Sequence, residues 1–395
     1  MSRFIVNTAT ILIAITSCLF VYKYAAMADH YPLLADMQME AGRQAIDLIN
    51  RYPLTTSLIY AFVLLLLSRY GAATLDSLSA ANRLPTFITI VMSYLACAGL
   101  MVYLTDQQSI TVDRWSVITS FWDAVHRGEF PYAARSHLDN VPGPLPGYFL
   151  IAYPFYLLGD IGYLSIAGCL LLFFVLYNYH RSGSSGWAAL LLVVFSASVF
   201  WEILARSTVL TTSTLVAAYM VWLIRGKFTR MPILLTLGCI GGLLQSTRSV
   251  YVLAFIVCYF FVFLAERRFR EFLVVAGAFT VTFLLSLVPF ALMDFEAFLR
   301  YNPFTLQASF VGFKVIAVFV ALAVFAGFCV KSQQQMFFSV ALLIFGVVSV
   351  YLLRDLYRYG FQDILLESGG DISYLILALP FLLLSIEGER RPSSQ

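Results

Sequence analysis

TDQQSITVDRWSVITSFWDAVHRGEFPYAARSHLDNVPGPLPGYFLIAYPFYLLGD, residues 105–160, is the longest stretch of this 395-residue chain without a clean membrane span. It holds six of the 22 acidic residues, Asp106, Asp113, Asp123, Glu129, Asp139 and Asp160. The last apolar part, residues 146–158, decides the fold, because whether it crosses a bilayer sets the side on which everything after it lies. A span needs about 17–25 mostly apolar residues. This segment is shorter and carries Pro146 and Pro154, so it reads as a re-entrant or interfacial helix and the whole of 105–160 as one outer loop.

Outside that loop the chain is almost continuously compatible with lipid. Hydrophobic residues make up 61% and charged residues 12%, with a mean hydropathy of +0.83, whereas soluble domains carry roughly 25% charged residues. Apolar runs at 4–22, 54–68, 85–104, 162–179, 187–203, 208–224, 231–246, 250–265, 272–292, 311–330, 334–352 and 372–386 read as helices, since only helices and closed barrels satisfy their backbone groups in lipid. None alternates with the two-residue period of a barrel strand. The expected fold is all-α, a polytopic transmembrane helical bundle of about 12 spans in a single membrane domain over 1–395, with interfacial helices in the outer loop. Arg3 ahead of an apolar run and Ala26-Met27-Ala28 imitate a secretory leader. The run of 4–22 is long for one, so a retained first span is expected. The weakly amphipathic segment 23–53 is expected along the outer interface.

Charge tests this arrangement. With 146–158 not crossing and the N-terminus inside, the inner segments hold thirteen of the 25 Lys and Arg but only five of the 22 acids. They include Arg225, Lys227 and Arg230, and Arg267, Arg268 and Arg270. A crossing at 146–158 would place both clusters outside, against the positive-inside rule. The topology expected is therefore multi-pass and integral, with both termini cytoplasmic, in the cytoplasmic membrane if the source is bacterial.

Partners and chemistry narrow in the same way. The six cysteines, Cys18, Cys97, Cys169, Cys239, Cys258 and Cys329, lie inside apolar runs with no close pair, and read as small core residues. Nucleic acid is not an expected partner, membrane lipids are, and His126 and His137 have no spacing that indicates a divalent metal. Trp115, Ile118, Phe121, Trp122 and Val125 recur at helical spacing, so 114–127 is expected as an amphipathic helix resting its aromatic face on the bilayer. Asp113 stands just before it, either as a plain helix cap or as a carboxylate kept ionised beside Arg114 and able to take a proton from a hydroxyl. Glu202 and Arg206 lie between two apolar runs at the spacing of an intrahelical ion pair. Arg248, Arg300, Arg354 and Arg358 fall at outer span ends, where a planar guanidinium suits phosphate oxygens.

Asp113, the 114–127 helix, Gly128 to Tyr132, the turn Pro142 to Pro146 and the FYLLGD ending at Gly159-Asp160 resemble in layout the GT-C superfamily of membrane glycosyltransferases that use polyprenyl-phosphate sugars. The resemblance covers about 85–225. The loop here follows the third span where the family's usually follows the first, and Arg114 stands where several members have a second acid. The resemblance implies a polyprenyl-phosphate sugar as donor, a saccharide, lipid or protein acceptor at the outer face, no further cofactor, and a place in envelope polysaccharide synthesis. Asp113 would then be the general base of an inverting displacement. Arg248, Arg354 and Arg358 would hold the lipid phosphate, and Arg114, His137, Glu202 and Arg206 would contact substrate. Two readings from other classes stand beside it, a lipid-linked saccharide flippase or transporter, and a non-catalytic subunit of an envelope-polysaccharide assembly.

Overall fold

The computed structural model describes residues 2–26, 51–79, 82–110, 112–180, 183–226, 228–366 and 370–386. Residues 27–50 of the segment expected along the outer interface, Lys227 and the tail beyond Ile386 lie outside the described residues. Within them every regular element is helical. In chain order these are α1 (Ser2–Ala26), α2 (Pro53–Leu66, continued by Leu67–Gly71 and Ala72–Leu78), α3 (Arg83–Leu104), α4 (Arg114–His126) and α5 (Pro146–Leu157). Then follow α6 (Gly162–Tyr179), α7 (Ser184–Val194), α8 (Ala197–Leu204), α9 (Val209–Gly226), α10 (Met231–Gln245) and α11 (Val252–Tyr259). The last are α12 (Phe269–Met293), α13 (Phe295–Arg300), α14 (Pro303–Ser309), α15 (Phe313–Cys329), α16 (Gln333–Phe361) and α17 (Leu379–Leu384), which continues the 3-10 helix Ile372–Ala378.

Seven of these helices are long and apolar enough to cross a membrane. The number rises to nine if two bent pairs, α7 with α8 at 48° and α13–α14 with α15 at 62°, each form one span. Three further apolar helical stretches, Met231–Gln245, Ser249–Leu264 and Ile372–Leu384, are shorter. The chain is thus an all-helical, multi-pass membrane protein in composition and build. Burial ranks the spans. α9 is 67% and α6 56% buried in their apolar windows and make the centre, while α12 at 6% presents nearly its whole circumference outward. Close packing rests on small residues where helices touch. A Cβ on Gly242 of α10 would stand 2.3 Å from the Phe279 carbonyl oxygen of α12, so only glycine lets these backbones meet. The cysteines divide. Cys169 and Cys258 are core residues as expected, but Cys97, Cys239 and Cys329 sit on outward helix faces, where a small apolar side chain meets lipid as readily as protein.

The loop 105–160 folds on itself and onto the bundle. Pro146 occupies the first turn of α5, where its missing N–H costs nothing. The helix has 12 residues, about 18 Å, well short of a hydrocarbon layer of about 30 Å. The aromatic face of α4 is not turned to the bilayer as its periodicity predicts. Ile118 and Phe121 are fully buried, Phe121 stacks on Phe149 of α5 at 3.7 Å and meets Phe290 of α12, and the Trp122 indole donates to the Phe149 carbonyl at 3.1 Å. Helical spacing identifies an apolar face without saying what covers it, and here protein does.

Candidate functional site

A cavity of about 820 Å³ opens where the start of α4, the Pro-rich turn, the Arg248 turn and the bent α14–α15 pair converge on α16 and Asp371. Its lining joins the polar side chains Asp113, Arg114, Asn140, Arg248, Gln307 and Asp371 to the apolar Phe310, Phe313, Ile316, Phe319, Val347 and Val348. Such an amphipathic volume suits a ligand with a charged head and an apolar tail.

Asp113 holds the N-cap position of α4, yet its side chain caps nothing. Its Oδ2 instead accepts from the Ser136 hydroxyl and the Asn140 amide, both at 2.8 Å. Among the described residues its Oδ1 accepts no hydrogen bond. The loop therefore fixes the carboxylate through one oxygen, and the residue lines the cavity.

The two arginines of the cavity differ in a way that decides their roles. Arg114 is buried and committed, since it is ion-paired to Asp371 and donates to Ser373 Oγ at 2.6 Å. Its guanidinium lies 4.7 Å from the Tyr374 ring. Burial works against the charged form of Asp371, but Arg114 and the Ser373 hydrogen bonds outweigh it and hold the carboxyl below its ordinary range. Burial likewise opposes the Arg114 charge, and the Asp371 carboxylate more than restores it. Arg248 is also buried, at 8% exposure, and stands 5.4 Å from the Tyr148 ring and 5.5 Å from Tyr374. Its Nε has no hydrogen-bond partner, and among the described residues no carboxylate lies within ion-pair distance of it. A buried guanidinium without an ion-pair partner in a cavity is costly to keep unless an anion joins it.

The remaining expected residues lie elsewhere. Glu202 is buried behind the cavity and absent from its lining. Its Oε2 accepts the Leu210 N–H at 2.9 Å at the start of α9, within electrostatic reach of Arg114 and Arg248. Arg206 does not pair with Glu202, because α8 ends at Leu204 and Arg206 turns out at φ +48°. It forms a two-pronged pair with Asp160 at 2.8 and 2.9 Å and also donates to the Val102 and Thr105 carbonyls. It fastens the end of the 105–160 loop to α3 and is absent from the cavity lining. Arg354 is taken by Asp355 at 2.7 Å and by the Ser309 carbonyl, and neither Arg300 nor Arg358, both exposed, lines the cavity. His137 is exposed, stacked on Trp115 at 5.3 Å with Nδ1 2.7 Å from Ser116 Oγ. Asp371, Tyr374, Tyr148 and Gln307 belong to the cavity and were not singled out by sequence. The available signal was Asp371-Ile-Ser373 just before an apolar run, an Asx turn that the structure forms with Ser373 N–H to Asp371 Oδ1 at 2.9 Å. Among the described residues no group of three or more His, Cys, Asp or Glu side chains is placed to hold a metal ion.

No family model, curated protein or solved structure matches this chain.

Proposed function

We propose that this protein is a membrane glycosyltransferase that moves a sugar from a polyprenyl-phosphate donor to an acceptor hydroxyl at the outer face, inverting the anomeric centre. The observation that carries this reading is that Asp113, a carboxylate held by the loop, and Arg248, a guanidinium without an ion-pair partner among the described residues, line one cavity together with many apolar side chains. Asp113 Oδ1 takes the proton of the acceptor hydroxyl as that oxygen bonds to the anomeric carbon. The bond from that carbon to the phosphate oxygen breaks, and its electron pair leaves with the lipid phosphate. Arg248 stabilises the charge that grows there. Arg114, neutralised by Asp371, frames the site and adds little net charge. We further propose that the three shorter apolar helices and both bent pairs cross the bilayer with the seven long helices. This twelve-span topology keeps both termini on the Lys- and Arg-rich cytoplasmic side and has the layout of GT-C enzymes.

Purified wild type and Asp113→Asn assayed with a panel of polyprenyl-phosphate hexoses and pentoses test the proposal. Asparagine keeps an oxygen to accept from Ser136 and Asn140, so the loop should persist. Transfer and donor hydrolysis are expected to fall about 10²–10⁴-fold. Equal turnover removes Asp113 as the base. No turnover by wild type with any donor favours the flippase or subunit reading.

A further inference from the structure

The first helix touches the backbone beside a cavity residue, Asp371, through one side chain. Lys23, in the last turn of α1, is 3% exposed, and its Nζ donates to the carbonyls of Ile364 at 2.8 Å and of Gly370. The Gly370 carbonyl belongs to the peptide that leads into Asp371, so fixing it fixes the backbone from which Asp371 reaches Arg114. Asp371 also lies within electrostatic reach of the Lys23 ammonium. From Asp371 the connection runs through Arg114 to Tyr374, the ring that Arg114 shares with Arg248. An ammonium at the end of a span is expensive to bury against neutral carbonyls alone, and such residues are retained where they serve a site.

We propose that Lys23 is a positioning residue for the anion-binding end of the cavity. It pins the Gly370 carbonyl, holds Asp371 on Arg114, and through Tyr374 keeps Arg248 in place to receive a phosphate. This rests on the reading that the cavity holds the phosphate of a lipid. It also makes α1 part of the site, because its last turn sets the geometry of the cavity's charged end.

The test measures binding of farnesyl phosphate to full-length wild type, Lys23→Met, Lys23→Arg and, as a stability control, Gln334→Ala. Gln334 is buried and donates to the Ser385 carbonyl at 3.0 Å, away from the cavity lining. Lys23→Met is expected to weaken binding about tenfold or more, the scale on which outer supports of a ligand site are felt, with Lys23→Arg close to wild type. Gln334→Ala should melt earlier with its affinity unchanged. Hydrogen exchange at 371–376 in Lys23→Met should quicken. Wild-type affinity in Lys23→Met, or an equal loss in Gln334→Ala, overturns the proposal. If wild type itself fails to bind farnesyl phosphate, the lipid-phosphate reading falls. Exchange then decides the role of Lys23: unchanged protection at 371–376 rejects it, and faster exchange keeps it as the anchor of Asp371.

Discussion

Arg114 and Asp371 meet across 257 residues of sequence, and their pairing makes the charged end of the cavity sensitive to acid. The Asp371 carboxyl is held below its ordinary range in the folded protein, so its pairing stabilises the fold fully above the unfolded carboxyl value of about 3.9. That contribution is lost as pH falls through the folded value. Melting temperatures in detergent should therefore drop below about pH 4, and Arg114→Met should flatten that acid limb. At neutral pH the same substitution is expected to cost about 2–3 kcal/mol, less than for a fully enclosed pair, because Asp371 retains 38% side-chain exposure. An unchanged acid limb in Arg114→Met would show that Asp371 does not depend on this partner. Asp113, Arg114 and Arg248 were legible in the sequence because a charge at the mouth of an apolar run is conspicuous. Asp371 occupies the same kind of place, and its Asp-Ile-Ser turn marks a local bend, but nothing in sequence ties it to the site until the fold delivers Arg114. The separation of Arg248 from Arg354 was hidden for a similar reason. Both are arginines at the ends of apolar runs, and only packing shows that one is paired with Asp355 while the other has tyrosine rings and no ion-pair partner among the described residues.

At the scale of the element, α5 locks the 105–160 loop to the site. Gly147 N–H donates to the Ser246 carbonyl at 2.8 Å and Leu145 N–H to that of Thr247 at 3.2 Å, so the start of α5 is bonded to the two residues before Arg248. This contact needs glycine, because a Cβ at Gly147 would fall 2.5 Å from the Leu243 carbonyl oxygen and 3.1 Å from the Ser246 carbonyl carbon. Those atoms are backbone and cannot swing aside. Gly147→Ala is expected to push α5 off α10 at a cost of about 1–3 kcal/mol and to displace Arg248. Thermal unfolding would read the first effect and farnesyl phosphate binding the second. A variant that melts and binds like wild type would mean that α5 is not seated as described. The shortness of α5 and its prolines are visible in sequence, and they set it apart from the long apolar helices. Its docking partner is not visible, since a glycine that permits close approach looks the same as one that permits a turn. The burial of Phe121 against Phe149 was masked likewise, because an apolar helix face reads alike whether lipid or another helix covers it.

For the whole molecule, sidedness follows from how many times the chain crosses between the cavity's loop and the basic segments. Between the Pro-rich turn and Ser184 only α6 has the length and hydropathy of a span, so these two places should face opposite sides. Helicity and repeated spans were plain from composition, and the run read over 311–330 begins where the second pair bends, but the bend after Val194 was hidden because 187–203 reads as one apolar run. Impermeant maleimide labelling of single cysteines in a background lacking the six native ones measures the sidedness directly. Ser136 is a poor reporter, being buried and bonded to Asp113, whereas Leu138 is 48% exposed and Ser184 is exposed. Leu138→Cys should label in intact cells and Ser184→Cys only after the membrane is opened, as one crossing between them and the positive-inside rule require. If both label from the outside, α5 traverses the bilayer after all. The arginine-rich segments at 225–230 and 266–271 would then lie outside, and Asp113 and Arg248 could not share an outer aqueous cavity.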